Sequence, residues 1–406
     1  KQNLNGGYFL EGPEFVDVAV LTVASFVMDP MAQRDFQKIN SDFIAAALAA
    51  NKTKLIIDSS SNGGGTILQG YDLFKQLFPS IDPYGASRLR AHETIDWLGR
   101  LHSAPINQSD TNSPKRVEEV FWSYRTDLDS NDKHFSSWEQ KYGPHPQGPG
   151  NDTFTSLMRW DLNSSQVPEW SDGIWVSGYH GRSNVTSQPF QPQDTILVTD
   201  GYCASTCAIF SEFLRQEAGV RTVSLGGLPS FHPMQSVGGT KGTTALRWID
   251  IFKDVHKAFL ISNQTLRADL NQTAMAQYSL LPIAKSAGTM VNFRDGIRRN
   301  DDGQTPYQFF YEPAECRIFY TKQMVMDQSV VWRTVADTVW GQGNACIAGD
   351  NSFSAKQGNL TAESDARRHK MWSVRHDFDI EEAWKGLEVE ADMDWSGGSG
   401  DCVMIH

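Results

Sequence analysis

The most constraining feature of this sequence is a stretch of nine residues, Asp200-Gly-Tyr-Cys-Ala-Ser-Thr-Cys-Ala208, set between an apolar run and a helical one. The run before it, Thr195-Ile-Leu-Val-Thr199, is short and largely apolar, as a buried strand would be. The run after it, Ile209 to Glu217, reads as helix and ends at Gly219. The chain must therefore pass from strand to helix within a few residues, and Ser205 falls at that corner. A hydroxyl there projects from a sharp turn beside backbone N–H groups that have no partner in the helix. Acyl-transfer chemistry needs that combination, a nucleophile next to donors for an oxyanion. Plain capping of the helix by Ser205 is the competing reading.

A second corner of the same kind lies upstream. Leu55 to Ile57 read as a buried strand, and Asp58-Ser-Ser-Ser-Asn-Gly-Gly-Gly65 as a Gly-rich turn. A helix follows, with Ile67, Leu68, Tyr71, Leu73, Phe74 and Leu77 at helical spacing. Three consecutive glycines let main-chain amides approach a ligand closely. A phosphate loop is disfavoured, because no Gly-Lys-Ser/Thr and no Gly-x-Gly-x-x-Gly is present. An ordinary tight turn is the alternative.

Together the two corners resemble the tail-specific (C-terminal-processing) serine peptidase family. Within it they are most similar to fungal secreted relatives of the chlamydial protease-like activity factor. The resemblance runs from about Val16 to Trp340 and includes Val16 to Phe26, Leu225 to Gln235 and Pro306 to Thr321. It implies that Ser205 is the nucleophile and that the Thr206 N–H is one oxyanion donor, with a second at Gly64 or Gly65. The base is less direct. Bacterial members use a Lys one strand after the Ser; the matching segment, Pro229 to Gln235, has His232 instead, Lys241 lies further on, and Gln235 matches the family's following Gln. Other relatives use a His upstream of the first strand, but no His precedes His92 here. The expectation is that the base comes from an N-terminal piece of the same precursor, with His232 as the fallback. A His base wants a carboxylate to hold its tautomer. Glu312, in the segment matching the closing strand, is the first candidate and Glu315 the second; a surface salt bridge is the competing role for either.

Composition narrows the partners. A formal net charge of -12 argues against nucleic acid, which favours a basic face. No apolar run is long enough to span a membrane. Eight Asn-x-Ser/Thr triplets, at Asn51, Asn107, Asn151, Asn163, Asn184, Asn263, Asn271 and Asn359, favour a secreted glycoprotein. The 5 cysteines leave one without an intrachain partner in an oxidising compartment. Cys316–Cys346 is expected as one bridge and Cys203–Cys207, on either side of Ser205, as another. Cys402 is then available to link to the N-terminal fragment. No Cys or His pair has zinc-site spacing, and no cofactor is expected.

Alternating strands and helices with mostly buried strands argue an α/β sheet covered by helices. The resemblance adds the ClpP/crotonase-like spiral of ββα units. Residues 1–78 read as the first part of the core and 194–348 as the second, which carries the nucleophile. Residues 79–193, rich in Trp, Pro, Asn and Ser, read as a large insertion of loops and hairpins that shapes the substrate cleft. Trp122, Trp138, Trp160, Trp170 and Trp175 are expected to form local core rather than a sugar platform. Residues 349–406 read as a hydrophilic C-terminal extension. The functional expectation is a secreted serine endopeptidase working through an acyl-enzyme on Ser205. A non-catalytic ligand- or peptide-binding protein on the same scaffold is the alternative. A glycoside hydrolase, prompted by abundant Trp and carboxylates, needs a facing carboxylate pair about 5–10 Å apart, which sequence cannot reveal.

Overall fold

The computed structural model describes residues 4–27, 29–103, 122–147, 152–238, 241–278 and 280–349. Asn107, Asn151, Asn359, Cys402 and nearly all of the 349–406 extension lie outside them. In chain order the elements used below are β1 (Asn5–Phe9), β2 (Val18–Val23), α1 (Gln33–Ala49), β3 (Lys54–Asp58) and α2 (Ile67–Leu77). Then come β4 (Ser87–Arg88), α3 (Glu93–Ser103), β5 (Asp127–Asp129), α4 (Trp138–Tyr142), β6 (His145–Gln147), β7 (Asp152–Phe154), β8 (Met158–Trp160) and α5 (Val167–Trp170). The rest are β9 (Thr195–Thr199), α6 (Thr206–Glu212), β10 (Arg221–Leu225), β11 (Thr244–Arg247), α7 (Trp248–Ile261), α8 (Gln264–Leu270), α9 (Ala274–Tyr278), β12 (Met290–Gly296), β13 (Cys316–Ile318), α10 (Lys322–Met326) and α11 (Gln328–Trp340).

The main sheet has 6 strands in the order β1-β2-β3-β9-β10-β13. From β2 to β13 every pairing is parallel. These strands are buried almost residue for residue, which is why they read as continuous apolar runs rather than alternating ones. Ala19, Leu21, Leu55, Ile57 and Leu197 pack with Phe36, Phe43, Leu73, Phe74, Phe210 and Phe213 of α1, α2 and the α6 segment in one core. Trp332 of α11 packs against Tyr8 of β1, ring centroids 5.0 Å apart and tilted by 35°.

Strand β1 was not foreseen. It runs antiparallel along the outer side of β2, Asn5 facing Val23 and Phe9 facing Ala19. Its Asn5-Gly-Gly-Tyr-Phe sequence carries little strand propensity. Gly7 is required by packing, since a Cβ there would stand 2.0 Å from the Phe43 ring of α1.

Residues 79–193 do not form a unit of their own. They contribute β4, β5 and β8 to a second, antiparallel sheet of order β11-β12-β4-β8-β5, which β11 and β12 from much later in the chain complete. Trp122 and Trp138 are buried beneath this sheet, while Trp160, Trp170 and Trp175 pack against the main core.

A buried ion pair pins the second sheet. Lys141 Nζ donates to Asp127 Oδ2 and to the Ser123 carbonyl, both at 2.6 Å, and both side chains of the pair are fully buried. Burial pushes the Lys141 ammonium below its usual value and Asp127 opposes that. Removing one partner strands the other charge in a dry site. Arg294, also buried, lies 3.7 Å from the same Asp127 oxygen, so this carboxylate serves two cations. Asp127→Asn is expected to cost about 3 kcal/mol in urea unfolding, and the double variant Asp127→Leu/Lys141→Met not to recover it, because the Arg294 charge stays buried.

Candidate active site

The register of β3 against β9 brings the two corners level. Asp58 lies opposite Val198, and both strands run in the same direction, so their turns emerge side by side at the carboxyl edge of the sheet. Crevices at that edge of a parallel sheet are where ligands bind. Direct bonds tie the turns together. The Ser59 N–H donates to the Val198 carbonyl at 2.9 Å. Asp200 Oδ2 accepts from the Ser61 N–H at 2.9 Å and the Ser61 hydroxyl at 3.1 Å. The Thr206 hydroxyl donates to the Gly65 carbonyl at 2.6 Å.

Ser205 occupies the N-cap position of α6 with φ 51° and ψ -122°. That left-handed φ is uncommon for a residue with a Cβ and holds the side chain off the helix axis. Its hydroxyl does not cap the helix and makes no hydrogen bond among the described residues. The plain capping role is therefore not the one its side chain takes. Cys203 and Cys207 are joined around it, Cα to Cα 5.3 Å, and Cys316 is joined to Cys346.

Gly64 packs directly against Ser205. A Cβ on Gly64 would lie 2.6 Å from the Ala204 carbonyl oxygen, 2.7 Å from the Ser205 Cβ and 3.0 Å from the Thr206 nitrogen. The geometry also separates the two glycines. The Gly64 N–H is already donated to Asn62 Oδ1 at 2.8 Å. Gly65 forms a parallel bridge with Phe26 in which Phe26 bonds to the Gly64 carbonyl and the Thr66 N–H. In such a bridge the middle residue's own N–H and C=O point to the opposite side. There the Gly65 carbonyl meets Thr206. The Gly65 N–H, directed the same way, and the Thr206 N–H at the first position of α6 make no hydrogen bond among the described residues.

The residues beneath the Gly-rich turn were not singled out from sequence. Asn62 is fully buried and donates to the Val23 carbonyl at 2.8 Å, so one amide braces the turn from both sides. Asp58 Oδ2 accepts from Trp332 Nε1 and Gln328 Nε2, each at 2.7 Å, which latches α11 to the start of the turn. Their signals were present in the Asp58 to Gly65 stretch, but the partners lie far away in sequence.

The other candidates lie beside the β9 corner. The segment Met234–Gly238 runs between Gly201 and Pro313, with bridges Gly201↔Val237 and Gln235↔Pro313. Gln235 Oε1 accepts the Glu312 N–H at 3.0 Å. His232 is exposed, and its ring makes no hydrogen bond among the described residues; its carbonyl accepts from Arg317 at 2.6 Å. Arg317 also binds the carbonyls of Gly226, Leu228 and Ser230, so one guanidinium gathers this whole loop.

Glu312 faces cations rather than a histidine. Its Oε2 accepts from Arg298 at 2.6 Å and Lys241 at 3.3 Å, and its Oε1 from Gln216 at 2.8 Å. Burial raises its proton affinity, but the Arg298 bond and charge, with Lys241 and Arg215, outweigh it and hold the carboxyl below the usual range. Lys241 is held by Glu312 and by the Phe310 carbonyl at 2.7 Å. Arg298 also grips Glu212 of α6 through both oxygens, at 2.6 and 3.0 Å. Glu315 accepts from the Thr222 N–H and hydroxyl, both at 2.6 Å, and from Arg215 at 3.2 Å. Neither carboxylate bonds to a histidine among the described residues, and no cluster there has the makings of a metal site.

Just past α6, burial pushes the Glu217 carboxyl up to about 7, although it accepts the Tyr84 N–H through both oxygens. The folded state therefore holds this proton more tightly than the unfolded chain. Stability contributed here is present at low pH and is lost as pH rises from about 4.5 to about 7. Glu217→Gln is expected to raise Tm at pH 8 by the equivalent of about 1–2 kcal/mol and to leave it unchanged at pH 4, read by scanning calorimetry.

The chain matches no family model. It is 30% identical over 362 residues to the peptidase S41 family protein ustP of Aspergillus flavus, covering 86% of this chain and 74% of that protein. The chain belongs to the peptidase S41 family. This S41 member is also 31% identical over 370 residues to the peptidase S41 family protein phomP1' of Diaporthe leptostromiformis, covering 82% of this chain and 54% of the relative. It thus spans about half the length of that curated relative. Among solved structures, mature CPAF aligns with a TM-score of 0.37 and 14% identity over 79% of this chain and 51% of that one. The tail-specific peptidase resemblance read from the two corners is thereby met at the level of family.

Proposed function

We propose that this S41 member is a serine peptidase that cleaves peptide bonds through an acyl-enzyme on Ser205. The observation that carries the reading is the meeting of the two corners, with the Ser205 hydroxyl making no hydrogen bond among the described residues and seated against Gly64. Its hydroxyl oxygen attacks the scissile carbonyl, and the developing oxyanion takes hydrogen bonds from the Thr206 and Gly65 N–H groups. A base removes the hydroxyl proton and returns it to the leaving amine; water then hydrolyses the ester. Of Gly64 and Gly65, the free N–H favours Gly65 as donor and leaves Gly64 as the close-packed floor.

No His or Lys reaches the Ser205 hydroxyl among the described residues, so the base is assigned to a polypeptide segment outside them, with His232 as the in-chain alternative. In this reading an N-terminal fragment of the same precursor supplies a His, and Cys402 is its point of linkage. Five described sequon asparagines (Asn51, Asn163, Asn184, Asn263 and Asn271) are exposed, which supports a secreted, glycosylated enzyme. The core is assigned the family's spiral of ββα units, and residues 79–193 the shaping of the substrate cleft.

That no His or Lys among the described residues bonds to the Ser205 hydroxyl favours a second reading, a non-catalytic peptide- or ligand-binding protein on the same scaffold. A fluorophosphonate probe applied to the native assembly separates the two. The expected result is one adduct, located at Ser205 by peptide mass spectrometry. An assembly that takes up no label is the binding protein.

A further inference from the structure

We infer that a cleft between β4, β12 and the 303–309 segment binds a sugar residue, at a site separate from Ser205. The cleft has a volume of about 510 Å3, within the size range of small-molecule sites. Its floor is Arg88, only 4% exposed. Both terminal nitrogens of Arg88 are spent on Gln304, on Oε1 at 2.8 Å and the carbonyl at 3.0 Å. The Nε–H has no partner among the described residues. A buried guanidinium seldom leaves a donor idle, because desolvating it unpaired is costly. The Phe154 ring, 4.0 Å from the guanidinium carbon, holds that group in place.

The remaining lining selects the ligand class. Arg90 is neutralised by Asp152 through two bonds of 2.6 and 3.3 Å. Arg88 and Asp295 are cross-strand partners of opposite charge. The cleft thus has no net sign, and neither a phosphate nor a bare cation is favoured. Gln308 and Asn292 both donate to Asp295 Oδ1, at 2.7 and 3.3 Å, and the second Asp295 oxygen takes no hydrogen bond among the described residues. The buried Oε1 of Gln308 has no partner among them either. Asn292 Oδ1 also has no partner among the described residues. One idle donor beside three idle acceptors suits hydroxyl groups, which give and accept at once. Phe309, 74% exposed at the rim, supplies an apolar ring for the C–H face of a pyranose. An extended peptide is disfavoured because β4 is paired on both sides and offers no free ladder.

The test is saturation-transfer NMR and calorimetry on the full chain with methyl glucoside, methyl mannoside, N-acetylglucosamine and cellobiose. A high-mannose glycopeptide and its unglycosylated peptide form a second arm that separates free sugar from a protein-borne glycan. The expected result is binding of at least one sugar probe, weakened about tenfold or more by Phe309→Ala and by Asp295→Asn. Phe309→Ala is expected to keep the parent Tm and the parent labelling of Ser205, because its ring is exposed and outside that site. The inference is overturned if none of the sugar probes binds, if both variants bind like the parent, or if the bare peptide binds as tightly as the glycopeptide. It does not depend on the peptidase reading, and Ser205 labelling can fail without affecting it.

Discussion

Ser205→Ala is expected to reduce peptide hydrolysis by at least about 1,000-fold while Tm stays within about 1 °C of the parent. On the proposed mechanism the loss follows from removing the oxygen that forms the acyl-enzyme, whereas the N–H groups assigned to the oxyanion are main-chain and remain. The unchanged Tm follows from the absence of any hydrogen bond to the Ser205 hydroxyl among the described residues. A substrate-level readout, kcat and KM on a quenched fluorescent peptide library, should lose kcat far more than KM. Ser205→Gly makes a useful companion. It is equally inactive, but it releases the φ of 51° and should be the more stable by about 1 kcal/mol. Hydrolysis at parental rate in either variant would remove Ser205 from the mechanism.

Gly65→Ala is expected to be worse for the protein than any side-chain deletion at the site. A Cβ there would stand 1.9 Å from the Phe26 carbonyl carbon and 2.1 Å from both the Phe26 oxygen and the Val27 nitrogen. All of these are backbone atoms, so no rotamer change relieves the overlap. The φ of 140° adds a second penalty. The bridge to Phe26 has to open, and with it the placement of the Gly65 N–H and the Thr206 bond to the Gly65 carbonyl. A loss of more than about 4 kcal/mol in urea unfolding is expected, together with loss of Ser205 labelling in whatever fraction remains folded. Gly63→Ala is the control. Its nearest contact would be the Tyr202 hydroxyl at 3.3 Å, the end of a side chain that can move, so fold and labelling should survive.

The two corners were legible because each combines a buried strand, which leaves an unbroken apolar run, with a turn that only small residues can make. Ser205, Gly64 and Gly65 stood out for those reasons. Which glycine keeps a free N–H was not legible, because it depends on Asn62 reaching back two residues and on a bridge to Phe26 from another strand. The carboxylates were harder still. Glu312 and Glu315 could be read only as carboxylates near the closing strand; their partners Arg298, Lys241, Arg215 and Thr222 arrive from separate parts of the chain. Strand β1 escaped notice because Gly6 and Gly7 suppress the pattern that marks a strand. The second sheet did so because its pieces within 79–193 are two or three residues long and carry no local periodicity.

That second sheet sets an order of events during synthesis. Strand β4 cannot acquire its neighbour β12 until the ribosome has made the main-sheet strands β9 and β10 and the helices α7 to α9. Until then the Trp122 indole lacks Phe293, which packs edge-on against it, and Asp254, which accepts its N–H; such long-range closures are slow. The nascent chain is therefore most exposed to aggregation in the interval between β8 and β12.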